Sequence, residues 1–385
     1  MGDKSDTEKI LFNALKVLLV AWSTIFIILP IIFKFSYPLQ RGLLFLNFIS
    51  YPSSLDLSAP GSLGLYATRH FHLNYEDGDK KVSVAAWHVV PNHIAKRFHK
   101  QLQLSPETLK NITNDANYLD NTEDENKYKV IEEMLRKNFD VNDSDSKDKE
   151  ILFEEILRKT KDPIVLYLHG NTGTRANGHR VDLYKTLRRL GYHVIAIDYR
   201  GFADSSDISP TEDGCVSDAF HVYSYIKNLT NNAVFVYGHS LGTLMRFVHG
   251  KVETYVVFLL GSGIGLHMVS NVDKSNIDNP KGVILEAPFN NMRDEVRKHP
   301  FSWSDQHISE FRTPVMILHS EDDRVIPYEL GYQLYRSALE TRGKSWGPVE
   351  FHRFEGKYGH KFIVKSKSFP GTIDQFIKRF RDESF

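Results

Sequence analysis

The sequence has a single cysteine, Cys215, among its 385 residues, so no disulfide framework can form within the chain. A chain of this length can bury a core large enough to be stable without disulfides, so a lumenal or extracellular location stays open. Basic and acidic residues balance at 48 each, which gives no reason to expect nucleic acid as a partner. No Cys/His cluster has metal-ligand spacing and no glycine-rich phosphate loop is present. We therefore expect neither a metal nor a cofactor.

Long apolar runs are scarce, and the main one lies near the N-terminus. Residues 17–33 are apolar over a length that is just sufficient for a membrane-spanning helix, which needs about 17–25 residues. We predict that residues 1–35 form a short tail and a transmembrane anchor. A cleaved signal peptide is the competing interpretation, disfavoured because no small-residue cleavage site follows. A buried helix of a soluble domain is the third alternative.

The orientation of this anchor cannot be read from charge, since basic residues flank both of its ends. Residues 36–60 are interpreted as a membrane-proximal segment. Its apolar patch, residues 43–49, is too short to span a bilayer, and we expect it to lie in the interface beside the anchor.

Residues 61–385 are predicted to form one globular domain. Two strands, at residues 70–75 and 82–90, are joined by a turn containing Asp77-Gly78, a strong hairpin signal. A polar and highly charged insert follows at residues 94–161, and we interpret its charge runs as a solvated surface.

Strand-like and helix-like segments alternate after residue 163. Apolar strands are predicted at residues 164–168, 193–197, 233–237, 282–286, 315–319 and 349–352, and helices at 182–190, 213–228 and 372–381. This alternation predicts an α/β fold with a mostly parallel, doubly wound sheet.

The strongest catalytic signal is the run Gly238-His239-Ser240-Leu241-Gly242, which follows the buried strand at 233–237. A G-x-S-x-G run in this place is typical of a nucleophile elbow, in which a serine sits on a strained turn between strand and helix. The backbone N–H of Leu241 would then face the oxyanion that forms when Ser240 attacks a carbonyl. The alternative is an ordinary Gly/Ser turn.

A second oxyanion donor is expected on the loop that closes the first core strand, residues 169–173. In hydrolases with a nucleophile elbow this loop supplies the other backbone N–H. We assign the role to Asn171, with Thr172 as the fallback.

The acid and the base are expected near the C-terminus. Asp323 follows a strand and could orient a histidine, with the adjacent Asp322 as an alternative, and His360 lies between the last strand and the final helix. The order serine, aspartate, histidine is that of α/β-hydrolases. His193 and Asp198 have an acyltransferase-like spacing, but they lie along a buried strand and are interpreted as core.

Several motifs together resemble the membrane-anchored α/β-hydrolase domain lipases, which cleave lysophosphatidylserine and monoacylglycerols. They are residues 166–175 (LYLHGNTGTR), 191–194 (GYHV), 198–202 (DYRGF), 238–243 (GHSLGT), 285–291 (LEAPFNN) and 299–301 (HPF). The resemblance covers most of the chain. It implies a single-span endoplasmic reticulum protein with a lumenal catalytic domain, in which Ser240 is the nucleophile, Asp323 the acid and His360 the base. Sequons at Asn111, Asn142 and Asn228 are consistent with a lumenal glycoprotein.

The chain departs from the family pattern in two places. Residues 244–262 interrupt the helix expected after the elbow, and residues 256–260 within them are strand-like. We hypothesise a splice-derived insertion, since removing it restores an ordinary helix; full-length transcripts that all lack it would make this chain a minor form. A shift of the elbow helix by about 1 Å could cost about a hundredfold in rate. The lid-like region is also shortened, at residues 303–311, which would leave the acyl pocket more open.

The sequence therefore predicts a membrane-anchored serine hydrolase that cleaves lipid esters of lysophospholipids and monoacylglycerols through an acyl-enzyme. Its expected partners are the lipid substrate and the membrane. Two alternatives stay open: a thioesterase or peptidase of the same fold, and a catalytically weak or inactive form that acts as an interaction protein.

Overall fold

The structure, a computed structural model, describes residues 2–49, 54–115, 146–240, 245–249, 252–256, 261–289 and 307–383. Several predictions fall outside these residues. They concern Leu241, the sequon at Asn142, the motif at residues 299–301 and the first part of the shortened lid region.

The N-terminal segment is helical almost throughout. Helix α1 (Gly2–Ser23) continues through a π-helical turn (Thr24–Ile28) into α2 (Leu29–Phe35), and α3 (Tyr37–Phe45) follows. The part from Glu8 to Phe33 is long and apolar enough to cross a membrane, and none of its most apolar window is buried against the rest of the described chain. By its length and composition the helix is a candidate membrane span. A signal sequence would have the same length and composition, so these two properties do not distinguish the two.

The membrane-proximal segment is only partly the interfacial patch that the sequence suggested. Phe45 is 2% exposed and packs in the core of the catalytic domain, whereas Phe48 is 70% exposed. The expectation was wrong for Phe45, because the chain turns at the end of α3 and inserts this ring beneath the sheet. Two hydrogen bonds tie the following residues to the domain: Asn47 Nδ2 donates to the Gly201 carbonyl at 2.9 Å, and the Gly173 N–H donates to the Ile49 carbonyl at 3.2 Å.

A mostly parallel, eight-stranded sheet forms the centre of the domain. Its strands are β1 (Thr68–Asp77), β2 (Lys80–Val89), β3 (Ile164–Leu168), β4 (His193–Asp198), β5 (Val234–His239), β8 (Gly282–Glu286), β9 (Val315–Ser320) and β10 (Val349–Phe354). Their order is β1-β2-β4-β3-β5-β8-β9-β10, and only the pairs β1–β2 and β2–β4 are antiparallel. The predicted hairpin and the doubly wound sheet are both present.

Helices lie between the strands as the alternation predicted. They are α4 (Asn92–Arg97), α5 (Pro106–Asp115), α6 (Ser146–Lys159), α7 (Gly178–Arg189), α8 (Glu212–Leu229), α9 (Gly261–Asp273), α10 (Tyr328–Thr341) and α11 (Phe369–Phe380). Short 3₁₀ turns occur at Pro60–Leu63 and Ile363–Lys365.

The central strands bury both of their faces. In β3, Leu166 belongs to one hydrophobic cluster and Tyr167 to another, and in β5 the same division separates Val236 from Tyr237. Alternate side chains of a strand point to opposite faces of a sheet. This is why the core strands read as continuous apolar runs and not as alternating ones.

Helix α7 begins four residues before its predicted start at residue 182. The first-turn residue Arg180 is polar but 2% exposed, because its guanidinium group is bonded to backbone carbonyls of the preceding loop. Hydrophobic periodicity could not mark this turn, since only its last residue, Val181, is a large apolar one.

The unusual insertion contains a small antiparallel hairpin, with strands β6 (Met245–His249) and β7 (Val252–Val256). The strand-like run noted at residues 256–260 overlaps the described hairpin only at Val256, and its other residues lie outside the described ones. The hairpin register pairs Met245 with Val256 and His249 with Val252.

Candidate active site

Ser240 lies where the sheet presents its C-terminal edge, directly after β5. Its φ is +62°, in the left-handed region that non-glycine residues seldom adopt. The Ser240 N–H donates to the Glu286 carbonyl at 2.8 Å, so strand β8 holds the turn from the side. Backbone strain of this kind is found at functional sites, where the surrounding structure compensates for it.

The three side chains predicted as a triad are in contact. The Ser240 hydroxyl is hydrogen-bonded to Nε2 of His360, and Nδ1 of His360 lies 2.8 Å from Oδ2 of Asp323. With Nδ1–H donating to the carboxylate, Nε2 is the nitrogen that accepts the serine proton. All three residues are buried, at 5–8% exposure.

Asp323 is held as an ionised carboxylate. Burial opposes ionisation, but hydrogen bonds from His319, His360 and the Ile326 N–H outweigh it and place the pKa of Asp323 well below its ordinary value. Its second oxygen accepts from the N–H groups of Val325 and Ile326, at 2.8 and 2.9 Å. These bonds fix the carboxylate against the His360 ring, whereas the neighbouring Asp322 accepts from the Ser320 hydroxyl and from the N–H groups of Tyr358 and Gly359.

The loop after β3 reaches the nucleophile at Gly170. A Cβ atom added there would lie 3.2 Å from Cβ and 3.6 Å from Oγ of Ser240, which leaves no room for a larger side chain. Asn171 follows directly and is buried, and its Nδ2 has no hydrogen-bond partner among the residues the structure describes. This loop is therefore close enough to supply a second donor, although the other predicted donor, Leu241, lies outside the described part.

Comparisons with known proteins agree with this geometry. A family model described as alpha/beta hydrolase fold matches residues 163–248. The lysophosphatidylserine lipase ABHD12 of Danio rerio is 31% identical over 381 residues, which cover 92% of this chain and 81% of that protein. The ABHD12 lipase of Xenopus tropicalis is 32% identical over 394 residues, covering 95% and 83%. This chain belongs to the ABHD12 family of α/β-hydrolases.

Among solved structures, the esterase Pf2001 of Pyrococcus furiosus has a TM-score of 0.51 at 12% identity, covering 86% of this chain and 97% of that one. The likeness supports the fold alone. The predicted α/β-hydrolase fold, the resemblance to the lipase family and the class of ester hydrolase are thereby confirmed. The predicted roles of individual site residues stay predictions.

Asp322 contributes in a way that the sequence did not indicate. Its Oδ1 accepts from the Ser320 hydroxyl at 2.6 Å and from the N–H groups of Gly359 and Tyr358 at 2.9 and 3.2 Å. It therefore anchors the turn that carries His360. The sequence showed that Asp322 stands next to Asp323, but it could not show that Asp322 accepts from backbone N–H groups of the turn that carries His360.

Arg180 is a second residue that sequence reasoning missed. Its two terminal nitrogens donate to the carbonyls of Thr174 and Thr172, at 2.6 and 2.7 Å. Both carbonyls belong to the loop that contains Asn171. The bidentate geometry of a guanidinium group suits this bridging, and it fixes the curvature of the candidate oxyanion loop.

Glu286 brings an ionisable group beneath the elbow. Its carboxyl group is buried and accepts from the Tyr237 hydroxyl at 2.6 Å. Burial is the main cause that raises its pKa to about 7; the charge of Asp323 adds to this, and the Tyr237 hydrogen bond opposes it. The His239 ring lies on the other side, with Nε2 4.0 Å from the carboxylate.

His193 and Asp198 belong to the core, as expected. His193 is fully buried between His88 and Thr160, at 2.9 Å from each, and Asp198 pairs with His169 and Arg175. A cleft of about 320 Å³ lies elsewhere, between α8 and α9, and none of its lining residues belongs to the triad.

Proposed function

We propose that this protein is a membrane-anchored serine hydrolase that cleaves the ester bond of lysophospholipids, such as lysophosphatidylserine, and of monoacylglycerols. The observation that carries the proposal is the continuous hydrogen-bonded path from Ser240 through His360 to Asp323. The substrate class follows from family membership, since the relatives are named lysophosphatidylserine lipases.

In the proposed reaction, the Ser240 oxygen attacks the acyl carbonyl while Nε2 of His360 takes its proton. Asp323 keeps the imidazole in the required tautomer and stabilises its positive charge. The protonated His360 then gives its proton to the leaving alcohol, so the ester C–O bond breaks and an acyl-serine forms. Water, activated by the same nitrogen, attacks the acyl-serine and releases the fatty acid.

The oxyanion of the tetrahedral intermediate requires two backbone donors. The proposal keeps Asn171 in this role, supported by the proximity of Gly170 to Ser240 and by the bonds through which Arg180 holds the loop. Leu241 is kept as the second donor on sequence grounds, as the residue that follows the nucleophile.

The anchor is proposed to place this site at the bilayer surface. The chain that follows helix α3 is hydrogen-bonded to the candidate oxyanion loop through Ile49 and Gly173. Phe35 and Phe48, which precede and follow helix α3, expose 79% and 70% of their surfaces. Large exposed apolar groups near a candidate span suit contact with lipid. A single-chain lipid could then leave the bilayer close to Ser240.

A lumenal orientation in the endoplasmic reticulum membrane is proposed from the resemblance. The sequon residues Asn111 and Asn228 are both exposed, in α5 and near the end of α8, which leaves them accessible for glycosylation. For the domain boundaries we retain residues 1–35, 36–60 and 61–385.

The first experiment is labelling of the full-length protein in membranes by a fluorophosphonate probe. The wild type and Ser224→Ala, a serine of α8 whose hydroxyl donates to the Phe220 carbonyl of the same helix, should label, and Ser240→Ala should not. Fatty acid release would then be compared for lysophosphatidylserine, monoacylglycerol, an acyl thioester and a peptide. Folded wild-type protein that fails to label would refute the hydrolase proposal. Cleavage of the thioester or peptide alone would refute the lipid assignment.

A further inference from the structure

The insertion separates two copies of one short sequence pattern. Leu241-Gly242-Thr243 follows the nucleophile, and Leu260-Gly261-Ser262 precedes the body of helix α9. In each copy a leucine and a glycine are followed by a small hydroxyl residue. The G-x-S-x-G motif places the second glycine of the elbow at Gly242, but Gly261, at the end of the insertion, is a second candidate for this position.

The backbone of Gly261 fills the space that the second elbow glycine requires. A Cβ atom at Gly261 would lie 2.6 Å from the carbonyl oxygen of Leu168, 2.8 Å from that of His169, and closer still to that of His239. Real Cβ atoms do not approach backbone oxygens so closely. Only glycine can stand at this point between the ends of β3 and β5.

Gly238 also lies against the backbone of Gly261 and Ser262. A Cβ atom at Gly238 would lie 2.7 Å from the carbonyl oxygen of Gly261 and 2.8 Å from Cα of Ser262. The two glycines therefore permit one mutual close approach, as the two glycines of an elbow must. Because this space is occupied by Gly261, a second backbone segment does not fit there.

Ser262, which corresponds to Thr243 in the repeated pattern, also contacts the elbow. Its hydroxyl donates to the carbonyl oxygen of Gly238 at 3.0 Å, and its N–H points to the Ser240 carbonyl at 3.5 Å. Helix α9 begins at Gly261 and is buried from there through Leu266. This is the helix that packs behind the nucleophile.

We propose that Gly261 is the second glycine of the nucleophile elbow in place of Gly242, and that Gly261 and Ser262 position Ser240 through helix α9. The elbow of this protein is thus completed by residues that lie beyond the hairpin β6–β7. The inference deepens the proposed hydrolase function and rests on it for the catalytic effect, but its structural part can be measured without activity.

The test compares Gly261→Ala with Gly242→Ala in the full-length protein. We expect Gly261→Ala to slow fluorophosphonate labelling at least tenfold and to lower the melting temperature, whereas Gly242→Ala should stay within about twofold and melt like the wild type. Loss of labelling or of thermal stability in Gly242→Ala with an intact Gly261→Ala would overturn the assignment, as would equal effects of both. If folded wild-type protein does not label at all, the hydrolase proposal fails, and the order of melting temperatures still decides this inference.

A second pair of variants, with smaller structural effects, tests the proposal if Gly261→Ala does not fold. Ser262→Ala removes one hydrogen bond to the elbow, and Thr243→Ala is its matched control. We expect Ser262→Ala to lower kcat severalfold with KM unchanged, because the substrate site stays intact while the nucleophile loses support. An unchanged kcat in Ser262→Ala, or an equal loss in Thr243→Ala, would contradict the proposal.

Discussion

The carboxyl group of Glu286 allows a prediction of how stability depends on pH. It is buried at the end of β8, with the Tyr237 hydroxyl as its hydrogen-bond donor, and its own backbone carbonyl accepts from the Ser240 N–H. Glu286→Gln keeps the shape of the side chain and an acceptor for Tyr237 but removes the titration. The substitution therefore isolates the effect of one buried acid.

The sign of the effect follows from the pKa. Burial raises the pKa of Glu286 from 4.5 to about 7, so the folded state holds this proton more tightly than the unfolded state. The stabilisation is fully present below pH 4.5 and is lost as the pH rises through about 7. At about 1.4 kcal/mol per pKa unit, the loss between about pH 5 and pH 8 amounts to about 2 to 3 kcal/mol.

The assay is urea unfolding of the full-length protein in detergent micelles, followed by the fluorescence of tryptophan, with Trp87 fully buried in β2. The unfolding free energy of Glu286→Gln should fall less than that of the wild type between pH 5 and pH 8, by about 2 to 3 kcal/mol. Glu355→Gln, at an exposed position, controls for the loss of one carboxylate. Parallel pH profiles for wild type and Glu286→Gln would refute the reasoning.

Further predictions concern the triad, the loops that hold it and the orientation of the domain. In steady-state ester hydrolysis, Asp323→Asn should lower kcat by on the order of 10⁴, because an amide no longer holds the histidine tautomer. Asp322→Asn should cost about ten- to a hundredfold through misplacement of the His360 turn, and an equal loss in both variants would contradict this division. Arg180→Lys should lower kcat about tenfold with KM little changed, since one ammonium group cannot bridge two carbonyls; an unchanged kcat would exclude a positioning role. Asn111→Gln and Asn228→Gln should each abolish one glycosidase-sensitive shift in gel mobility, and a wild type that is insensitive to glycosidase would contradict lumenal exposure.

The sequence predicted the parts of the fold that are encoded by local patterns. Buried strands such as β3 and β5 are continuous apolar runs, and the Asp77-Gly78 turn marked the first hairpin. Ser240, Asp323 and His360 each follow a predicted strand, in the chain order of an α/β-hydrolase triad. Because parallel strands end at a common edge of the sheet, the sequence was enough to predict that the three residues lie in one site. These features need no knowledge of distant contacts.

The features that the sequence did not predict depend on contacts between distant segments. Arg180 and Asp322 act on backbone groups of other loops, and a backbone partner leaves no mark on residue type. Phe45 was placed at the membrane because its neighbours are apolar, yet a turn of the chain buries it. The hairpin register that pairs Met245 with Val256 also joins residues apart in the chain, and no local pattern in the insertion predicted it.

The tolerance of an elbow for an insertion has a simple energetic basis. The position of Ser240 is fixed by strand β8 through the Glu286 carbonyl and by the packing of Gly261 against β3 and β5. Neither constraint requires that Ser240 and the helix be contiguous in sequence. The connection from Ser240 to Gly261 has 20 residues where a contiguous elbow has one, which is about four doublings and costs about 2 to 3 kcal/mol in closure entropy. Helix α9 buries several large apolar side chains, among them Leu266, Met268 and Val272 at 0% exposure, and each contributes about 1.5 to 3 kcal/mol. Docking of the helix therefore outweighs the cost of the longer connection, and the elbow can be rebuilt from its far side.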